Sequence, residues 1–255
     1  MNRIDNLFRT KKKNILSIYF TAGYPSLNSV TEIIKSLDNN GADMIEIGIP
    51  FSDPLADGPV IQQTGTIAIS NGMTLELLFE QLRNIRQITD KCLLLMGYLN
   101  PVLQYGYREF CRKAKECGID GLIIPDLPPD LFNSAYREET IKNDLRFVFL
   151  ITPETSSERV RYIDELSSGF LYLVSSKATT GNLKAFDSSQ IEYFRRISSM
   201  NLNNPLMAGF GIHSRETKEQ VFSYLNGAII GSAYLRALQA ENDVDKATER
   251  FFWGL

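Results

Sequence analysis

Two acidic residues stand where their type and spacing point to proton transfer. Glu46 lies inside the apolar run Met44-Ile45-Glu46-Ile47 and is the only ionisable acid or base in the middle of any strand-like run of the chain. Burying an unpaired carboxylate is costly, so such a group either pairs with a cation or keeps its proton through a raised pKa. No other strand-like run offers an Arg or Lys in its interior, which favours an acid–base role for Glu46 over a structural ion pair. Asp57 follows in the connection Ile49-Pro50-Phe51-Ser52-Asp53-Pro54-Leu55-Ala56-Asp57-Gly58-Pro59. Asp53-Pro54 and Asp57-Gly58 also have the composition of plain turns, so local sequence leaves Asp57 open between turn former and catalytic residue. About 25 residues separate this strand from the next expected helix, well above the usual few, which suits a lid or a docking surface.

Two glycine-bearing stretches, Gly209-Phe210-Gly211-Ile212 and Gly231-Ser232-Ala233, follow the last two strand-like runs. Backbone N–H groups free of Cβ crowding, beside a helix N-terminus, suit a phosphate dianion, and barrel enzymes often bind phosphate after these two strands. A third stretch, Ser175-Ser176-Lys177-Ala178-Thr179-Thr180-Gly181-Asn182, is small, hydroxylated and long enough to fold over a ligand or to be a surface loop. The lone histidine, His213, reads as a turn or surface residue and argues against a His-rich metal site or a Ser-His-Asp triad.

Positioning these groups requires a regular scaffold, and the chain supplies one. Short runs rich in Ile, Leu, Val and aromatics recur at 15–20, 44–47, 93–97, 121–124, 147–151, 170–174, 206–208 and 228–230. Each is apolar nearly throughout, as parallel strands buried on both faces must be. Amphipathic segments alternate with them: Val30, Ile33, Ile34 and Leu37 fall at helical spacing, as do Leu75, Leu78, Phe79 and Leu82. Ser29 with Glu32 predicts a capping box, Ser156, Asp187 and Ser214 predict further helix starts, and Gly41 and Gly118 predict helix stops. Eight β-then-α units within 255 residues predict a closed (β/α)8 TIM barrel, one α/β domain over residues 1–255. An open doubly wound sheet is disfavoured because no Gly-rich dinucleotide fingerprint follows the first strand. Residues 3–9, with Ile4, Leu7 and Phe8 on one face, predict a short helix plugging the N-terminal end of the barrel.

Composition narrows the functional classes. A net charge of −3 and one short basic run, Lys11-Lys12-Lys13, give no footprint for nucleic acid. No apolar stretch approaches the ~20 residues that span a bilayer, and no signal core opens the sequence. Cys92, Cys111 and Cys117 lack metal-ligand spacing and fit a reduced compartment, so a soluble cytoplasmic protein is expected.

The run from Ile45 to Gln62, with Glu46, Pro50-Phe51-Ser52-Asp53-Pro54 and Ala56-Asp57-Gly58-Pro59, resembles the signature of the tryptophan synthase α chain family. The likeness extends to Thr21-Ala22-Gly23-Tyr24-Pro25, Tyr98-Leu99-Asn100-Pro101-Val102, Pro125-Asp126-Leu127-Pro128, Tyr172, Thr180-Gly181, Gly209-Phe210-Gly211 and Gly231-Ser232-Ala233. The resemblance implies a barrel lyase that splits indole-3-glycerol phosphate into indole and glyceraldehyde 3-phosphate, with Glu46 and Asp57 catalytic. It places Tyr172 in the substrate pocket with Thr180 and Phe210, and Gly181, Gly211, Gly231 and Ser232 around the phosphate. It implies no metal and no organic cofactor. It also implies a pyridoxal-phosphate β chain as partner in an αββα assembly, docking on the loop of Asp53 and Pro54 and on the 175–182 loop. That second loop departs from the family pattern, lacking an arginine and an inner glycine. Two other readings are a Schiff-base aldolase using Lys177 on another phosphosugar, and a non-catalytic phosphosugar-binding subunit.

Overall fold

The strand-like runs form one parallel sheet that closes on itself. The computed structural model describes residues 1–174 and 186–255. Its strands are β1 (Ile15–Thr21), β2 (Met44–Gly48), β3 (Cys92–Met96), β4 (Gly121–Ile123), β5 (Arg146–Val148), β6 (Leu150–Ile151), β7 (Leu171–Val174), β8 (Leu206–Gly209) and β9 (Gly227–Ile230). Hydrogen-bonded neighbours run β5-β4-β3-β2-β1-β9-β8-β7-β6. The two ends of that order, β5 and β6, are separated in the chain by Phe149 alone, so they complete the ring. A single fifth strand over 147–151 was expected; it is divided because the Phe149 amide donates to Ser167 Oγ at 3.3 Å instead of to a neighbouring strand. Its carbonyl still accepts the Tyr172 amide at 3.0 Å, which joins β6 to β7. The fold is thus the expected TIM barrel.

Helices cover the ring as the periodicity predicts. The helix Val30–Asn39 buries Val30, Ile33, Ile34 and Leu37, and the helix Leu75–Leu82 buries Leu78, Phe79 and Leu82. Gly41 and Gly118 adopt left-handed φ of +94° and +77° just past two helix ends, where a Cβ would be strained. Ser156, Asp187 and Ser214 accept amide hydrogen bonds at helix starts, the last two in capping boxes. The expected capping box of Ser29 and Glu32 does not form. Ser29 Oγ donates to the carbonyls of Tyr24 and Ser26, and the residue is itself helical, so its hydroxyl serves the preceding turn.

The connection after β2 also differs from expectation. A helix, Pro59–Ser70, occupies most of it, leaving Ile49–Gly58 as the true loop. Pro59 at the first helical position favours the start. Thr64, Gly65 and Ala68 are its buried residues and Val60, Ile61 and Ile67 are half-buried beside them, so the face it turns to the core is made mostly of small residues with weak hydrophobic periodicity.

At the N-terminal end the helix Arg3–Thr10 plugs the barrel as expected. Ile4 is fully buried, and a Cβ on Gly121, at the start of β4, would fall 2.9 Å from its Cδ1. Asn2 Nδ2 ties the plug down by donating to the carbonyls of Asp120 and Asp144 at 2.9 and 2.8 Å. The opposite, C-terminal end carries the candidate site.

Candidate active site

Glu46 is the third residue of β2 and is fully buried. Its register partner on β1 is Tyr19, and two residues earlier on the same strand Ser17 donates its hydroxyl to Glu46 Oε1 at 2.8 Å. Alternate residues of a strand share a face, so Ser17, Tyr19 and Glu46 project together. Oε2 has no hydrogen-bond partner among the described residues. Burial in this apolar surround pushes the Glu46 carboxyl up to about 8, against the opposing pull of the Ser17 hydroxyl. The cation that a structural role would require is not among its partners. A carboxyl of this kind holds its proton near neutrality and can also give it up.

Asp57 reaches the same space from the loop. Burial raises its pKa to about 6, and a hydrogen bond from the Tyr98 phenol opposes that rise. Tyr98, just beyond β3, also accepts the Ala56 amide at 2.9 Å, and its ring lies 5.2 Å from that of Phe51. One phenol therefore fastens the Asp57 segment to the mouth of the barrel. Gln62 Nε2 adds a bond to the Asp57 carbonyl at 2.9 Å from the first turn of the next helix.

Tyr172 closes the far side. It lies on β7, four places from β2 in the strand order, yet the charges of both Glu46 and Asp57 help raise its pKa together with burial. That coupling runs across the interior of the ring. The Tyr172 hydroxyl occupies the space over Gly209, and the Tyr19 hydroxyl the space over Gly48. Phe210 stands at 6.5 Å from the Tyr172 ring in an edge-on arrangement. It and Gly211 have consecutive left-handed φ of +74° and +76°, an unfavourable conformation for a phenylalanine that the turn out of β8 imposes.

The two glycine stretches leave adjacent strands, since Gly209 of β8 pairs with Ile229 of β9. Gly231 is the N-cap of the helix Ser232–Ala240, and no side chain caps that end. The leading amides of such a helix, those of Ser232 and Ala233, point outward and favour an anion. Gly231 also lies against the Tyr19 ring, where a Cβ would meet Cδ1 at 3.2 Å. Tyr19 thus spans from Glu46 to the glycine cradle.

Of the residues expected from sequence, Glu46, Asp57, Tyr172, Phe210, Gly211, Gly231 and Ser232 gather at one end of the barrel. Thr180 and Gly181, and with them Lys177, lie outside the described residues. His213 is exposed, with Nδ1 at 2.9 Å from the Gly211 carbonyl, as a turn residue should be. The three cysteines are free and buried. Among the described residues no group of three or more His, Cys, Asp or Glu side chains could hold a metal ion, and no helix is long and apolar enough to cross a membrane. Sequence reasoning gave no site role to Ser17, Tyr19 or Tyr98. A serine in the otherwise apolar run Ile15–Phe20 was the available signal for the first.

A parallel (β/α)8 ring with a buried acid, a second acid on a loop and a glycine-lined helix start at its C-terminal end defines a class: a barrel enzyme equipped for proton transfer on an anionic substrate. The comparisons narrow the class. The family profile described as tryptophan synthase alpha chain matches residues 6–252. A tryptophan synthase alpha chain of Flavobacterium psychrophilum is 57% identical over 249 residues, covering 98% of both chains. One of Phocaeicola vulgatus is 53% identical over 256 residues, covering 100% of this chain and 99% of its own. A crystal structure of the tryptophan synthase alpha chain from Legionella pneumophila superposes with a TM-score of 0.87 at 34% identity, covering 99% of this chain and 95% of its own. The chain belongs to the tryptophan synthase alpha chain family, lyases that cleave indole-3-glycerol phosphate in tryptophan biosynthesis.

Proposed function

We propose that Glu46 and Asp57 carry the cleavage of indole-3-glycerol phosphate to indole and glyceraldehyde 3-phosphate. The bond that breaks joins indole C3 to the glycerol side chain, and no carbonyl lies beside it to accept the electrons. The ring must therefore first be protonated at C3, which turns the pyrrole nitrogen into an electron sink. Glu46 delivers that proton. Positive charge then develops at the indole N–H, and the Asp57 carboxylate accepts a hydrogen bond there. Glu46, now ionised, takes the proton of the side-chain hydroxyl. The C–C bond electrons return to the ring, C3 regains aromaticity and the hydroxyl carbon becomes the aldehyde. The sequence is redox-neutral and balances with proton transfers alone.

Gly211, Gly231 and Ser232 hold the phosphate with backbone amides, and Tyr172 and Phe210 wall the indole pocket. Thr180 and Gly181 also contact the substrate. A pyridoxal-phosphate β chain receives the indole, docking on the loop of Asp53 and Pro54, whose neighbour Leu55 is 94% exposed. The enzyme works in the cytoplasm.

The observation that carries this reading is a fully buried carboxyl with one oxygen unpartnered, at a barrel position where no cation among the described residues acts on it. The test is to incubate the purified chain with indole-3-glycerol phosphate, with and without a β chain, and to measure indole and aldehyde. Release of both in equal amounts is expected. Binding without indole release in either mixture would favour a non-catalytic phosphosugar-binding subunit.

A further inference from the structure

The interior of β1 is apolar or aromatic on either side of Ser17, and Ser17 itself is fully buried. A serine hydroxyl placed there without purpose would lose its hydrogen bonds to water, at a cost that its one bond to Glu46 must offset. That bond divides the two oxygens of Glu46. Oε1 is engaged at 2.8 Å, whereas Oε2 is buried and unpartnered. We propose that Ser17 is a positioning residue for the carbon–carbon cleavage: its hydroxyl fixes the Glu46 carboxyl through Oε1 and leaves Oε2 as the oxygen that carries the proton to and from substrate. The proposal rests on the acid–base reading of Glu46 and adds to it the element that selects the working oxygen.

Physical chemistry sets the consequence. A hydroxyl is a better donor to a carboxylate than to a carboxylic acid, so Ser17 stabilises the ionised form and limits how far burial raises the affinity of Glu46 for its proton. Among the described residues, the other titratable groups that act on this interior are Tyr19 on β1, Tyr172 on β7, Asp57 on the loop and Tyr98 beside it. Burial holds all three phenols protonated well above neutrality, so none changes charge in the working range. Asp57, at about 6, titrates below Glu46. The alkaline limb of the rate profile therefore reports Glu46.

The test compares pH–rate profiles of indole release for the parent, Ser17→Ala, Ser17→Cys and Glu46→Gln, with folding of each checked by circular dichroism. Ser17→Ala is expected to move the alkaline limb up by about one pH unit and to lower kcat severalfold with KM little changed. Ser17→Cys, which keeps a weak donor at nearly the same volume, is expected to shift the limb less in the same direction. Profiles of both Ser17 variants superimposable on the parent's would overturn the proposal, as would a loss confined to KM. Glu46→Gln separates the two layers. If it retains turnover, the acid–base reading itself fails; if it is inactive while the Ser17 variants match the parent, only the positioning role fails.

Discussion

The phenol of Tyr172 fills the space that a side chain on Gly209 would need, one strand across the barrel mouth. A Cβ at that glycine would lie 2.5 Å from Tyr172 Cζ and 2.6 Å from Cε1, so the ring itself, not only its hydroxyl, excludes any substituent. Gly209 is thereby required by the pocket wall rather than by its own backbone conformation.

Gly209→Ala is therefore expected to displace Tyr172 and to cost at least tenfold in kcat/KM. Adding Tyr172→Phe should not restore activity, because Cζ and Cε1 remain. Adding Tyr172→Leu should restore part of it by vacating the ring. Steady-state indole release by the two double variants distinguishes a steric cause from a loss of backbone freedom.

The buried acid should leave a mark on stability as well as on rate. The Glu46 carboxyl moves from an ordinary 4.5 to about 8 on folding. Between those values the folded state binds more protons than the unfolded state, so stability falls as pH rises through that window and is level above it. Glu46→Gln removes this dependence. Its advantage over the parent should grow from near zero below about pH 4.5 to the order of a few kcal/mol above about pH 8, as read by urea unfolding at both ends. Asp57, raised from 3.8 to about 6 by burial, adds a smaller slope of the same sign at lower pH.

Tyr98 ties the Ile49–Gly58 loop to the barrel through the Ala56 amide and the Asp57 carboxyl. Tyr98→Phe should raise the Asp57 pKa further, since the bond that opposes burial is lost. A fall of about tenfold in kcat/KM is expected, with unfolding free energy within ~1 kcal/mol of the parent. A pH–rate profile with an unmoved acid limb would argue against this role.

The N-terminal plug should matter for stability and not for chemistry. Ile4→Ala empties a fully buried site against Gly121 and Gly169, which predicts a loss of about 2–4 kcal/mol in denaturant unfolding. The kcat of the folded fraction should be unchanged, because the opposite end of the barrel holds the site.

How much of this was legible from residues alone depends on whether each feature has a local signature. The ring was readable because eight strands buried on both faces are each apolar nearly throughout, and Glu46 was conspicuous for the same reason. The helix Pro59–Ser70 was less so, since its most buried residues are small and its larger apolar residues, Val60, Ile61 and Ile67, are only half-buried against the core, with Ile69 exposed. The break at Phe149 depends on a hydroxyl from Ser167, eighteen residues away in sequence, which no strand pattern contains. Ser29 has the type and spacing of a capping box yet spends its hydroxyl on the turn at Tyr24 and Ser26, a choice set by tertiary contact. Within the site, the pairings Ser17–Glu46, Tyr98–Asp57 and Tyr172–Gly209 are all between neighbouring strands or between a strand end and a loop, and only the pairing of those strands and the seating of that loop create them.

The central claim is that one buried carboxyl moves the proton at indole C3. Single-turnover mixing of indole-3-glycerol phosphate with excess enzyme, comparing the parent chain with folded Glu46→Gln, tests it most directly. The parent should release indole while Glu46→Gln binds substrate and releases none above background. Indole formation by Glu46→Gln at a rate near the parent's would contradict the account.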